Sequence, residues 1–143
     1  MPIDSSSTRI PIKEGLFRMP SNQEGGHLIG SRCRSCGEVF FPQQTACTHC
    51  FKQDMEVVPL STRGKLHSYT AIRQRPPDYK GEAMPLLVGE IDLPEMVRVT
   101  TPLTKCVIEE LVIDMEMELV LEPLYRDDAG REVISFKFKP LSR

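Results

Sequence analysis

Cys33-Arg34-Ser35-Cys36 and Cys47-Thr48-His49-Cys50 decide how the rest of the chain is read. Two Cys-x-x-Cys pairs, separated by the ten residues Gly37 to Ala46, have the spacing of a zinc ribbon. Each pair sits on a tight turn, so its two sulfurs face one point, and the intervening segment brings the second turn opposite the first. Four thiolates then form a closed tetrahedral shell, the arrangement structural zinc prefers. Iron in a rubredoxin-like site satisfies the same ligands, and disulfides are the other alternative for these four cysteines. A lone Cys-x-x-Cys reads as a redox dithiol, but two pairs in register do not. Cys33, Cys36, Cys47 and Cys50 are therefore the expected metal ligands. His49, lying between two of them, is expected to face solvent because four sulfurs already complete the shell. Arg32, Arg34 and Lys52 flank the site and are expected to offset its negative charge. A closed shell has no position for water or substrate, so this metal builds structure.

The composition sets the surroundings of that site. The chain has 143 residues, 40% hydrophobic and 27% charged, with a net charge of −2. These are ordinary values for a globular protein with one modest core or two small modules. No apolar run approaches the roughly 18 residues of a membrane span. Met1-Pro2-Ile3-Asp4-Ser5-Ser6-Ser7 has neither the basic nor the apolar region of a signal peptide. With four cysteines given to metal and Cys106 unpaired, a reducing cytoplasm is the expected location.

Residues 1–27 read as a loose arm with a short helix from Glu14 to Met19, ended by Pro20. Ser21-Asn22-Gln23-Glu24 has capping-box spacing, but Gly25-Gly26 follow at once. Leu16, Phe17 and Met19 are either core residues or an apolar tag for a partner. Residues 28–62 form the ribbon. Leu28-Ile29-Gly30-Ser31-Arg32 and Val39-Phe40-Phe41-Pro42 pair beneath the metal, with Phe40, Phe41 and Phe51 as packing residues, and Glu56 to Leu60 closes the module. Residues 63–143 change texture to alternating strands. Gly64–Arg73 is the first, Leu86–Asp92 the second with Gly89 as a bulge or bend, and Met96–Thr100 the third. A short helix over Thr104–Leu111, capped by Thr104, separates them from Ile113–Leu121 and Glu132–Phe138. Met115, Met117, Leu119 and Leu121 face inward as core. Five strands with a helix between the third and fourth is the order of an OB-fold barrel, so the chain is mostly β: a zinc ribbon followed by an OB fold.

The combination resembles a family of small proteins with a rubredoxin-like zinc ribbon and a C-terminal OB fold. The resemblance runs from about Phe17 to Pro140. It rests on Cys33-x-x-Cys36-Gly37, Phe41-Pro42, Cys47-x-x-Cys50 and the junction Gly64-Lys65-Leu66-His67-Ser68-Tyr69-Thr70. The family usually has glycine after the second knuckle and before the fourth barrel strand, where this chain has Phe51 and Asp114. The resemblance implies a non-catalytic accessory subunit of an acyl-CoA enzyme, held in a hetero-oligomer. Thiolases, acyl-CoA hydratases and retro-aldolases are the implied partners. In texture the chain is most similar to the thiolase-partner branch, of the kind found in anaerobic toluene degradation.

The residues themselves argue against independent catalysis. A thiolase needs two cysteines and an activating histidine. Outside the ribbon there is only Cys106, in Thr104-Lys105-Cys106-Val107-Ile108, and it reads as a buried free thiol. His67 on a barrel strand reads as structural. No Gly-rich phosphate loop or nucleophile elbow is present. The phosphates of a CoA thioester call for cations, and Arg73, Arg75, Lys80 and Arg98 are expected to cluster around the first barrel loops. The Pro-rich segment from Pro76 to Leu86 is an alternative docking surface. Single-stranded nucleic-acid binding, the rival reading, needs aromatic platforms on a basic groove. No Trp, 6% aromatic residues and a negative net charge count against it.

Overall fold

A computed structural model describes residues 9–20, 26–75, 77–78, 80 and 84–141. Ten strands occur among them: β1 (Arg9–Pro11), β2 (Phe17–Arg18), β3 (His27–Cys33), β4 (Val39–Phe40), β5 (Met55–Pro59), β6 (Arg63–Ile72), β7 (Leu86–Leu93), β8 (Val97–Pro102), β9 (Glu116–Arg126) and β10 (Glu132–Pro140). The ribbon sheet is centred on β3. β2 and β4 pair with one edge of it and β5 with the other. The second sheet has the order β1-β10-β9-β6-β7-β8. It curls back on itself where Leu103 forms a parallel bridge with Phe138 and the Thr104 N–H donates to the Phe138 carbonyl at 2.9 Å. Strands β6 to β10 thus have the connectivity of an OB fold.

The N-terminal segment departs from the expected arm with a short helix. β1 adds to the barrel sheet in parallel with β10, Arg9 opposite Glu132, where an ion pair of 3.0 Å supports the register. Between β1 and β2 the chain is not helical. Gly15 has φ of 85°, a left-handed turn in the middle of the expected helix, and its carbonyl accepts from the Gln43 side chain at 2.9 Å. The Leu16 carbonyl accepts from the Ile29 N–H, so this backbone is drawn into the ribbon. Phe17 is buried in the core. The capping-box stretch Ser21–Glu24 lies outside the described residues.

Three other expectations shift. The helix over Thr104–Leu111 is a single 3-10 turn, Ile108–Glu110, because Lys105 takes φ of 57° and interrupts any helix begun at Thr104. The Glu110 carboxylate, and not Thr104, accepts the first free amide, from Val107 at 3.0 Å. The barrel bulge lies in β6: Leu66 pairs with Ile91 and Ser68 with Glu90, leaving His67 as the extra residue. Beyond it the inward face changes parity, so Leu66 and Tyr69 both meet the core. Gly89 serves close approach, since a Cβ there would lie 3.0 Å from both Leu66 and Leu103. The fourth barrel strand starts at Glu116, after Ile113 turns outward and Asp114 takes φ of 74°.

One core runs through both sheets. Phe17, Leu28 and Leu60 of the ribbon side join Leu66, Ile91, Val99, Met117, Ile134 and Phe138 of the barrel. At the seam Phe136 of β10 meets Phe17 and Phe41 edge-on, with ring centroids 6.4 and 5.6 Å apart. Such pairs add to simple burial by roughly 0.5–1.5 kcal/mol each. Ser61, in the linker, donates its N–H and hydroxyl to one Glu95 oxygen at 3.0 and 2.6 Å, which ties the junction to the β7–β8 turn. Phe136→Ala is expected to cost about 2–3 kcal/mol in urea unfolding and to open the seam in hydrogen exchange. Asp114→Gly is expected to raise stability by roughly 0.5–1 kcal/mol, because glycine adopts a positive φ without strain; thermal unfolding checks the sign.

Candidate metal centre

The two cysteine turns are built alike. In the first, the Gly37 N–H donates to the Cys33 carbonyl at 2.8 Å and the Cys33 N–H to the Glu38 carbonyl at 2.8 Å. In the second, the Phe51 N–H donates to the Cys47 carbonyl at 2.7 Å and the Cys47 N–H to the Lys52 carbonyl at 2.9 Å. Each loop therefore closes on its own backbone, and the two face each other across the metal position. Gly37 and Phe51 occupy equivalent places with φ of 86° and 66°. Left-handed backbone is free for glycine but costs roughly 1–2 kcal/mol for a residue with a Cβ. Phe51 does not pack as expected. Its ring is 83% exposed, because this turn points the side chain away from the protein.

The sulfurs of Cys33, Cys36, Cys47 and Cys50 all lie within 4.8 Å of one another. Cys33–Cys50 and Cys36–Cys47 stand 3.6 Å apart. A zinc ion with bonds of about 2.3 Å requires sulfurs about 3.8 Å apart at tetrahedral angles, so the donor set fits the ion. Cys33 and Cys47 are buried and Cys36 is exposed, which leaves one side of the cluster near solvent. Ionisation is uneven across the cluster, favoured at Cys33 and opposed at Cys36 and Cys50. The Cys36 amide holds the Cys33 thiol down at about 7 despite its desolvation. The Glu38 amide pulls on Cys36, but desolvation and the sulfurs of Cys47, Cys33 and Cys50 outweigh it and push that thiol up to about 12. A divalent cation at the centre removes this conflict, and four protein thiolates leave it no open position. The cluster is a structural Zn²⁺ site. His49 is exposed and outside the cluster.

The flanking arginines do more than balance charge. Arg32 pairs with Glu56 at 2.8 Å, and Arg34 reaches Asp54 at 3.1 Å and Glu56 at 3.6 Å. Both bind the first knuckle to the approach and start of β5, so little of their charge is left for the metal.

The four cations expected to share a CoA site do not converge. Arg73 borders a cleft of about 480 Å³ with Leu86, Lys105 and Cys106. Arg75 and Lys80 lie in the same β6–β7 connection, Lys80 with its ammonium 5.7 Å from the Tyr125 ring centroid. Arg98 stands at the other end of β7. It grips Asp92 with two hydrogen bonds of 2.6 and 3.2 Å, six residues along the strand from Leu86, or about 20 Å. That pairing lowers the Asp92 carboxyl and raises the guanidinium. Periodicity had placed Arg98 on a strand, but not at which end of the barrel. Cys106 is half-buried at the edge of the core, and its thiol is pushed up by burial and then by Glu110. Lys105, beside Arg73 in the cleft, was missed, since its left-handed turn brings distant residues together.

A closed Cys₄ ribbon continuous with an OB barrel defines a class of metal-stabilised, two-module β proteins. The chain belongs to the DUF35 family, of which ChsH2 supplies the domain models. Residues 26–56 match "ChsH2, rubredoxin-like zinc ribbon domain" and residues 57–122 match "ChsH2, C-terminal OB-fold domain". A DUF35 domain-containing scaffold protein from Methanocaldococcus jannaschii is 35% identical, covering 80% of this chain and 82% of the relative. The benzoylsuccinyl-CoA thiolase subunit BbsA of Geobacter metallireducens is also 35% identical, over 89% of this chain and 84% of that one. Among solved structures, an Ltp2-ChsH2(DUF35) aldolase superposes with a TM-score of 0.63 at 26% identity, covering 81% of this chain and 86% of the other. Among the described residues no helix is long and apolar enough to cross a membrane.

The purified protein is expected to hold one zinc per chain, released by chelators under denaturing conditions and measured by atomic emission. Cys33→Ser or Cys47→Ser should abolish retention and unfold residues 28–62, because binding free energy at such a centre is folding free energy.

Proposed function

We propose that this chain is a non-catalytic accessory subunit of a thiolase-type acyl-CoA enzyme, stabilising the catalytic subunit and helping to shape its CoA-substrate site. The observation that carries the reading is the match over 89% of the chain to a protein named as a thiolase subunit. The site chemistry supports it. All four positions on the metal are taken by protein sulfur, and the remaining thiol, Cys106, is shifted away from ionisation, the wrong direction for a nucleophile. Four metal-ligating cysteines and one unpaired thiol, none in a disulfide, suit a reducing compartment such as the cytoplasm.

Within this reading, zinc makes the ribbon a rigid block whose seam with the barrel is fixed by Phe17, Phe41 and Phe136. That block gives a partner a surface that needs no ordering on association. The cations of the β6–β7 connection, Arg73, Arg75 and Lys80, are the chain's contribution toward the phosphates of a CoA thioester. Arg98, held by Asp92, belongs to the opposite end of the barrel. The relatives and solved neighbours are named as a scaffold, a thiolase subunit and an aldolase component. A hydratase or retro-aldolase partner is thus the alternative within the same role.

Native purification from source cells, followed by mass spectrometry of co-eluting chains, tests the reading. A thiolase-like subunit in fixed ratio is the expected result. A lone chain, or one carrying RNA, would overturn it. Cys33→Ser should release the partner in the same experiment, and Arg73→Ala with Arg75→Ala should raise the KM of the complex for its CoA thioester several-fold at constant zinc content.

A further inference from the structure

The second knuckle carries a feature that the fold of the isolated chain does not explain. The equivalence of Gly37 and Phe51 shows what this turn asks of its fifth position: a left-handed backbone, with the N–H returned to the first cysteine's carbonyl. Glycine meets that demand in the first knuckle. In the second, the same backbone carries one of the largest apolar side chains. Its ring gains almost no burial, in contrast to Phe17, Phe41, Phe136 and Phe138, which all pack in or against the core. Phe51 therefore costs the free protein through its backbone and returns almost nothing through burial of its ring.

Its surroundings narrow what such a ring is for. The backbone beneath it is pinned by the 2.7 Å hydrogen bond to Cys47 and by the cysteine cluster, so the ring is displayed from a fixed point. On either side in sequence, His49 and Lys52 are exposed and form no ion pair among the described residues. The nearby Arg34 is, by contrast, already paired with Asp54 and Glu56. An aromatic knob on a rigid turn, beside the uncommitted cation of Lys52, is complementary to an apolar pocket with an acidic rim. Aromatic residues held in this way carry a large share of the affinity at protein interfaces.

We propose that Phe51 is the anchor by which the zinc ribbon docks into an apolar, acid-rimmed pocket on the catalytic subunit. Lys52 meets the rim. The inference rests on the accessory-subunit reading and goes beyond it by naming the docking element. It also accounts for the departure from glycine at this turn: stability of the free chain is given up for a contact formed only in the complex.

The test compares wild type with Phe51→Gly and with Phe51→Asn, two ring-free residues that tolerate the left-handed turn. Zinc content, thermal unfolding and affinity for the purified catalytic subunit are measured on each. Both variants should retain zinc, and Phe51→Gly should raise the free protein's Tm by about 2–4 °C. Affinity should fall roughly 30-fold or more, mainly through faster dissociation. Unchanged affinity in a zinc-loaded variant overturns the anchor while leaving the accessory-subunit reading intact. Failure of wild type to bind any acyl-CoA enzyme subunit overturns both. If sedimentation shows that wild type self-associates through Phe51 while the variants bind the enzyme normally, the occupant is a second copy and the proposal fails.

Discussion

Four sulfurs held within one coordination sphere are the constraint on which the rest of the molecule depends. The ribbon's strands are short: β4 has two residues and β5 five. Segments of that size have no independent stability in water. The metal supplies what the strands cannot, since thiolates that repel one another become ligands that attract a common cation. Once the two knuckles are locked together, β3 has fixed partners on both edges. The outer ion pairs from Arg32 and Arg34 to β5 and its approach then form between backbones already in place.

The ribbon is not an appendage on the barrel. Phe17, Leu28 and Leu60 belong to the same core as Phe138 and Met117, so order at the metal passes through packed side chains to the barrel. Phe136 lies at the crossing, against an aromatic residue from each of two separate ribbon segments. β1 reaches the other way, from the N-terminal side of the ribbon to the far edge of the barrel sheet. A small protein built in this manner presents one continuous, rigid surface. The same economy explains why strain at Phe51 is sustainable: a turn pinned by metal can hold a conformation that a free loop would relax.

The metal site and the order of modules were legible in the residues. The spacing of Cys33, Cys36, Cys47 and Cys50 is a local property, and coordination geometry leaves few ways to satisfy it. Alternation in Met115-Glu116-Met117-Glu118-Leu119 identified a barrel strand for the same reason, since side-chain direction follows sequence parity. The parity argument failed where a bulge enters, at His67, because one extra residue reverses the faces beyond it. It failed also at Gly15, Lys105 and Asp114, where left-handed backbone ended helices or delayed a strand. Side-chain type signals such turns only weakly when the residue is not glycine.

By itself, the sequence determined that this is a zinc-ribbon and OB-fold protein and which four residues hold the metal, because both follow from short-range spacing. Only the tertiary structure decided which charges act together. Arg73 and Arg98 lie at opposite ends of β7, and strand pairing, not sequence distance, sets that separation. Likewise only the folded turn turned Phe51 from an expected core residue into an exposed one. Burial depends on where the backbone aims a side chain, and in the second knuckle the hydrogen bonds that close the metal site fix that aim.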